Sequence, residues 1–133
     1  ILRSLKMPRW LFEGIAMDCA GQVGAGVYPT KSKVYEAVAK GVFCEPADFG
    51  SYLGGETGTA LSCPITNKTA FFYSEFGCIV EFIRSSHGTQ RYQAFLKDVV
   101  ESHSLNVEQS FQRVYGKNLG DEIARFKNET NKH

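Results

Sequence analysis

The chain has 133 residues, of which 43% are apolar, and its 15 basic residues nearly balance 14 acidic ones. This length and composition predict one domain with a substantial core, and the lack of a basic run or tail argues against a nucleic-acid-binding protein. Its apolar runs fall far short of the about 18 residues that a membrane span needs and no signal peptide is visible, so we expect a soluble domain that does not insert into membranes.

The first predicted element is a helix over residues 9–19. Pro8 suits the first turn of this helix, because its missing N–H costs nothing there, and Gly14 is the one helix breaker inside it. Residues 21–29 hold three glycines and a proline and therefore predict a loop.

A short second helix is predicted to follow this loop and to end near Gly41. Thr30 or Ser32 can cap its first turn with a side-chain oxygen. Its predicted apolar face consists of Val34, Ala37 and Val38.

Residues 43–69 are interrupted by glycine and proline and predict one long irregular loop, which in a compact domain is usually functional or tied down. A disulfide bond between Cys44 and Cys63 could hold this loop in place. The even cysteine count leaves two interpretations open: two disulfides in an exported protein, or buried free thiols that act as small apolar residues. The four cysteines are Cys19, Cys44, Cys63 and Cys78.

Four further segments also predict helices. Residues 70–86 are apolar around most of a helix, which places that helix in the middle of the structure, and Thr89 can cap an amphipathic helix after it. Asn106 and Asn118 each begin another helix as caps, and Gly116 ends the first of these two. The polar stripe of the central helix is Ser74, Glu81 and Ser85, and the apolar positions of the last three helices are Tyr92, Phe95, Leu96, Val99, Val100, Val107, Phe111, Val114, Leu119, Ile123 and Phe126.

No alternating pattern long enough for a strand and no internal repeat is present, so the sequence predicts a mainly α fold. We expect a single helical domain, residues 1–133, with five to six helices and one long irregular loop.

Glu13 is the unusual residue of the first helix, because its neighbours one turn away are Trp10, Ala16 and Met17. A carboxylate among such residues needs a partner. An i, i+4 ion pair with Arg9 would provide one, whereas Glu13 lies too far inside the helix to cap it.

Residues 10–16, Trp-Leu-Phe-Glu-Gly-Ile-Ala, resemble the second zinc-binding segment of the gluzincin metallopeptidases, the aminopeptidase N-like enzymes and their smaller relatives. The resemblance implies that Glu13 is the third protein ligand of a zinc ion. Zinc accepts carboxylate oxygens readily, an apolar flank lowers the local dielectric, and Gly14 lets the backbone pack tightly beside the site.

A second similarity lies downstream, where these enzymes begin a helix with Tyr-x-x-Gly and use the tyrosine hydroxyl to stabilise the oxyanion. Tyr73 is followed by Gly77, one position later than in the family, and then by an apolar helix and His87-Gly88. The resemblance implies that Tyr73 is catalytic, and Gly77 would clear space for a neighbouring helix to approach its hydroxyl. The alternative is a packed core tyrosine with a satisfied hydroxyl.

The chain contains no His-Glu-x-x-His motif, and none of its histidines, His87, His103 and His133, is four residues from another. In the family that motif precedes the ligand glutamate by about twenty residues, which here lies upstream of Ile1. We therefore expect the C-terminal part of a longer zinc metallopeptidase that acts on peptides, with the histidine ligands on the missing upstream segment. The chain alone is expected to be inactive.

Two other interpretations remain open. The chain could be a small helical binding or scaffold domain, possibly disulfide-stapled, whose glycine-rich residues 50–58 meet a partner, or a relative that has lost the chemistry and kept a cleft for proteins. The sequence leans weakly towards an extracellular or periplasmic location.

Overall fold

The computed structural model of this chain describes residues 7–49, 67–102 and 106–133. This part of the chain contains helices and no strand, which confirms the predicted mainly α fold. None of its helices combines the length and the apolar character that a bilayer span requires. The helices are α1 (Arg9–Cys19), α2 (Lys31–Ala39), the 3-10 helix Pro46–Phe49, α3 (Lys68–His87), α4 (Thr89–Ser102), α5 (Val107–Tyr115) and α6 (Leu119–Thr130).

Side-chain caps begin three of these helices as the sequence predicts. The Thr30 hydroxyl accepts the Lys33 N–H at 3.2 Å, Asn106 accepts that of Gln109 at 3.2 Å, and Asn118 accepts that of Asp121 at 3.2 Å. Such caps satisfy backbone donors that the first turn of a helix leaves free. The C-terminal end of α5 is Gly116 in the left-handed conformation, also as predicted.

Helix α3 is the centre of the fold, and α1, α2, α4 and α6 all pack against it. It starts at Lys68, with Asn67 as its cap, so the predicted irregular stretch is two residues too long at this end. At the other end that stretch includes a 3-10 helix, whose Phe49 is buried against Phe72 and Phe76 of α3. Residues 50–66, the rest of the predicted loop, lie outside the described residues.

One hydrophobic core joins all the helices. Most predicted core positions are buried or half-buried in it, but Val100 is 46% exposed, and its predicted burial is wrong. At 100° per residue Val100 lies about 140° around α4 from Phe95, beyond the buried face. The largest side chains that are almost fully buried are Phe76, Phe95, Phe111 and Phe126.

The described cysteines form no disulfide with one another. Cys78 is buried, in agreement with the apolar role expected for it, Cys44 is also buried, and Cys19 is exposed. Cys63, and with it the suggested Cys44–Cys63 bond, lies outside the described residues.

Candidate functional site

Helices α1 and α3 bring both predicted site residues, Glu13 and Tyr73, to the same guanidinium group. Arg9 donates from Nη2 to the Tyr73 hydroxyl oxygen at 3.1 Å, and its Nε lies 3.8 Å from Oε2 of Glu13. Arg9 and Tyr73 are 64 positions apart in the chain, so this meeting depends on the packing of the two helices.

Two glycines allow that packing. A Cβ atom on Gly14 would lie 2.7 Å from the backbone oxygen of Phe76 and 2.8 Å from Val80, and one on Gly77 would lie 3.0 Å from Cβ of Met17. Gly14 therefore lets α1 pack tightly on α3, and Gly77 clears space for the neighbouring helix, as the sequence predicts for both.

Aromatic rings lie against the Arg9 guanidinium and against the ring of Tyr73. The Arg9 Cζ atom lies 5.3 Å from the centre of the Phe49 ring, and Tyr28 stacks on Tyr73 with ring centres 6.4 Å apart. A guanidinium is attracted to the face of an aromatic ring, and the rings keep water from one side of the group. The sequence did not indicate this role for Tyr28 or Phe49, because each comes from a segment with no periodic signal.

Glu13 itself is half-buried, with 18% of its side chain exposed. The ion pair with Arg9 is present, as the simplest interpretation of this carboxylate predicted. Its neighbours Trp10 and Met17 are buried, but Ala16 is exposed, so the stripe around Glu13 is apolar on one side only. Glu13 therefore lies at the boundary between the core and the solvent, where an added ligand could reach it.

Tyr73 is half-buried, and its pKa is raised. Burial is the main cause; the Arg9 hydrogen bond lowers the pKa and the Glu13 carboxylate raises it. A raised pKa keeps the phenol protonated at neutral pH. The hydroxyl oxygen accepts a hydrogen bond from Arg9, and the neighbouring Glu13 carboxylate is the acceptor for the hydroxyl proton, which also raises the pKa of Tyr73. The alternative of a core tyrosine with a satisfied hydroxyl fits the same contacts.

The described residues do not make a complete zinc site. No group of three or more His, Cys, Asp or Glu side chains that could hold a metal ion occurs among them. His87 pairs with Glu122 at 2.8 Å and His133 with Glu129 at 3.0 Å, while His103 lies outside the described residues. At this site the chain offers zinc one carboxylate, that of Glu13, where a structural or catalytic site needs three or four ligands.

A second acidic residue, Glu75, is fully buried in the core, and the sequence analysis missed it. Its Oε1 accepts the Cys44 N–H at 2.9 Å, and its Oε2 has no hydrogen-bond partner. Burial raises the pKa of Glu75 well above its usual value, while the Cys44 N–H lowers it. The sequence could have indicated Glu75, because it is a carboxylate inside an apolar helix, as Glu13 is.

Replacing Glu75 by glutamine is expected to stabilise the protein at high pH. The folded state keeps a proton on Glu75 that the unfolded state loses above pH 4.5, so wild-type stability falls as pH rises through the raised pKa. Glu75→Gln removes this loss, and we expect it to be more stable by about 1–2 kcal/mol at pH 8 but not at pH 4. Urea unfolding at both pH values measures this, with exposed Glu36→Gln as the control. Equal effects at the two pH values would contradict it.

Comparison of this chain with protein-family models, with curated proteins and with solved structures found no match. The expected relation to gluzincins, which was drawn from the residues around Glu13 and Tyr73, therefore stays a prediction.

Proposed function

We propose that this chain is the C-terminal part of a zinc-dependent metallopeptidase, in which Glu13 is the third zinc ligand and Tyr73 stabilises the oxyanion. The observation that carries the proposal is the meeting of these two residues at Arg9. Glu13 and Tyr73 belong to separate sequence segments, and a shared active site requires them to lie together.

The chain's own residues have two tasks in this proposal. The Glu13 carboxylate, held on α1 with Arg9 Nε 3.8 Å from its Oε2, offers an oxygen to the metal. The protonated Tyr73 hydroxyl donates a hydrogen bond to the oxygen on which negative charge develops during peptide hydrolysis. The histidine ligands and the general base would come from the segment upstream of Ile1.

The 133-residue chain alone is expected to bind zinc weakly or not at all and to hydrolyse no peptide, because one carboxylate is too few ligands. Calorimetric titration with zinc and a fluorogenic peptide assay test this. Chelator-sensitive hydrolysis by the purified chain would contradict the expectation and would mean that the chain holds a metal without the upstream histidines.

The proposal is tested on the longer parent protein. We expect its coding sequence to place a His-Glu-x-x-His motif about twenty residues before Glu13. In that parent, Glu13→Gln should abolish tight zinc binding and leave the thermal unfolding midpoint of the zinc-free protein nearly unchanged. Tyr73→Phe should keep the zinc and lower kcat about 100- to 1,000-fold.

Exposed Glu36→Gln is the matched control for Glu13→Gln, because it removes a carboxylate that also has an i, i+4 partner. This control should bind zinc like the wild type. Normal zinc content and activity in Glu13→Gln, or no His-Glu-x-x-His motif upstream, would disprove the proposal.

A second candidate is a non-catalytic helical binding or scaffold domain, and the ion pair between Arg9 and Glu13 favours it. In that case Arg9 remains the ion-pair partner of Glu13, and Glu13 binds no metal. Glu13→Gln would then change only the stability, by about 1 kcal/mol or less. Residues 50–58, suggested as the partner-binding loop, lie outside the described residues.

A further inference from the structure

A small pocket lies beside the candidate site, between α1, α3 and the loop that joins α1 to α2. Its volume is about 180 Å³ and it is partly open to solvent. Apolar and small groups form much of its lining, and charged groups complete it. The lining residues are Met17, Asp18, Gly21, Val23, Lys31, Gly77, Cys78 and Glu81.

The pocket continues the surface that holds Glu13 and Tyr73. On α1, Met17 follows Glu13 by four residues, and on α3, Gly77 follows Tyr73 by four residues, so each pair shares a helix face. Four residues of helix advance about 6 Å, which is close to the roughly 6.6 Å between alternate side chains on one face of an extended peptide. A peptide held at Glu13 and Tyr73 would therefore present a neighbouring side chain to this pocket.

The charged groups of the lining are already paired. Asp18 accepts two hydrogen bonds from Arg84, at 2.9 and 3.0 Å, and Lys31 lies 3.2 Å from Glu81. Burial raises the pKa of the Cys78 thiol to about 12, so this group is neutral as well. A charged ligand would have to break one of these pairs, whereas an uncharged apolar group would not.

The size of the pocket also limits what it holds. A protein cavity of about 150 Å³ with apolar walls is large enough for benzene, whereas pockets for whole small-molecule ligands start at about 300 Å³. The volume of about 180 Å³ therefore suits one branched aliphatic or aromatic side chain.

We propose that this pocket, lined by Met17, Val23, Gly77 and Cys78, is a specificity subsite that takes one uncharged apolar side chain of a peptide. The inference rests on the proposed peptidase function for the identity of the ligand. The pocket would give the enzyme a substrate preference that Glu13 and Tyr73 do not determine. The preferred peptides would carry leucine, methionine or phenylalanine beside the reacting bond.

The test uses the 133-residue chain and blocked amino acids, so that binding is measured without hydrolysis. N-acetyl-leucinamide is titrated while the NMR signal of the Met17 methyl group is followed. We expect a saturable shift and binding about tenfold tighter than that of N-acetyl-alaninamide, because the larger side chain buries more apolar surface. N-acetyl-lysinamide should not produce the shift.

A variant that fills the pocket is the control. Cys78→Met extends a flexible apolar chain into the space and should abolish the shift caused by N-acetyl-leucinamide, whereas Cys19→Met, at an exposed position, should leave it unchanged. Should Cys78→Met fail to fold, Val23→Phe, on the loop side of the pocket, replaces it.

Two results would overturn the inference: no saturable shift with N-acetyl-leucinamide, or equal binding of the leucine and lysine compounds. Both concern the pocket alone. A failure of the peptidase proposal would be detected separately, by measuring the zinc content and the activity of the parent protein carrying Glu13→Gln.

Discussion

Glu122→Gln is expected to lower the free energy of unfolding by about 2–3 kcal/mol, because it removes the negative charge at the centre of a buried ion-pair network. Glu122 is 1% exposed, and its Oε2 lies 2.8 Å from His87 Nε2 and 2.9 Å from Arg125 Nη2, while its Oε1 lies 3.2 Å from Lys117 Nζ. Removing one partner of a fully buried pair costs about 3–5 kcal/mol, and the estimate is lower here because Lys117 and Arg125 are partly exposed and water can solvate them.

The same network makes wild-type stability sensitive to acid. Burial raises the pKa of Glu122, but hydrogen bonds from Arg125, His87 and Lys117 outweigh burial and hold this pKa below its usual value of 4.5. The stabilisation is therefore complete above pH 4.5 and is lost as pH falls through the lowered pKa. Glu122→Gln lacks this carboxyl, so its stability should fall less steeply than that of the wild type below pH 4.5.

Glu129→Gln on the same helix is the matched control for both measurements. Glu129 pairs with His133 at 3.0 Å near the chain end, where solvent screens the pair. His133 lowers the pKa of Glu129, but solvent screening keeps the contribution to stability small, so urea unfolding between pH 3 and pH 7 should give this variant nearly the wild-type curve. A wild-type curve for Glu122→Gln as well would show that the network contributes nothing to stability.

The features that the sequence predicted well are those that depend on near neighbours in the chain. The bounds of α1 follow from Pro8 at its start, and the starts of α5 and α6 follow from the asparagines that cap them, since each cap contacts the N–H three residues ahead. The apolar positions of α4 were also predicted correctly, except for Val100, which lies beyond the buried face.

The features that the sequence could not predict depend on contacts between distant segments. Glu13 and Tyr73 were selected by family resemblance, but nothing local showed that Arg9 would join them or that Phe49 and Tyr28 would cover the group. Glu13 and Glu75 are both carboxylates in largely apolar helices, but their surroundings differ. Glu13 is half-buried and ion-paired, whereas Glu75 in α3 is fully buried and has a raised pKa, and only the packed structure distinguishes the two cases.

Gly14→Ala is expected to lower the free energy of unfolding by about 2 kcal/mol and to separate Arg9 from Tyr73. The new Cβ would lie 2.7 Å from the backbone oxygen of Phe76. Alanine normally stabilises a helix by up to about 1 kcal/mol relative to glycine. Here, however, the carbonyl of Phe76 belongs to the backbone and cannot rotate away, so α1 has to move off α3. Overpacking of this kind costs about 1–3 kcal/mol in protein cores.

Two other helical glycines provide the comparison that makes this prediction specific. Gly77→Ala at the same interface meets a methyl group of Val23 at 2.8 Å, which can rotate away, and Cβ of Met17 at 3.0 Å, which needs only a small backbone shift, so its effect should be smaller. Gly120→Ala in α6 meets the Asn118 Oδ1 atom at 2.9 Å, the oxygen that caps α6, and should be near neutral because a weakened cap and the helix preference of alanine, each worth about 1 kcal/mol, oppose one another. Urea unfolding of the three variants should therefore rank the loss as Gly14, then Gly77, then Gly120. Equal stability of all three would mean that the crossing of α1 and α3 is looser than these distances require, and that Glu13 and Tyr73 are not held together by it.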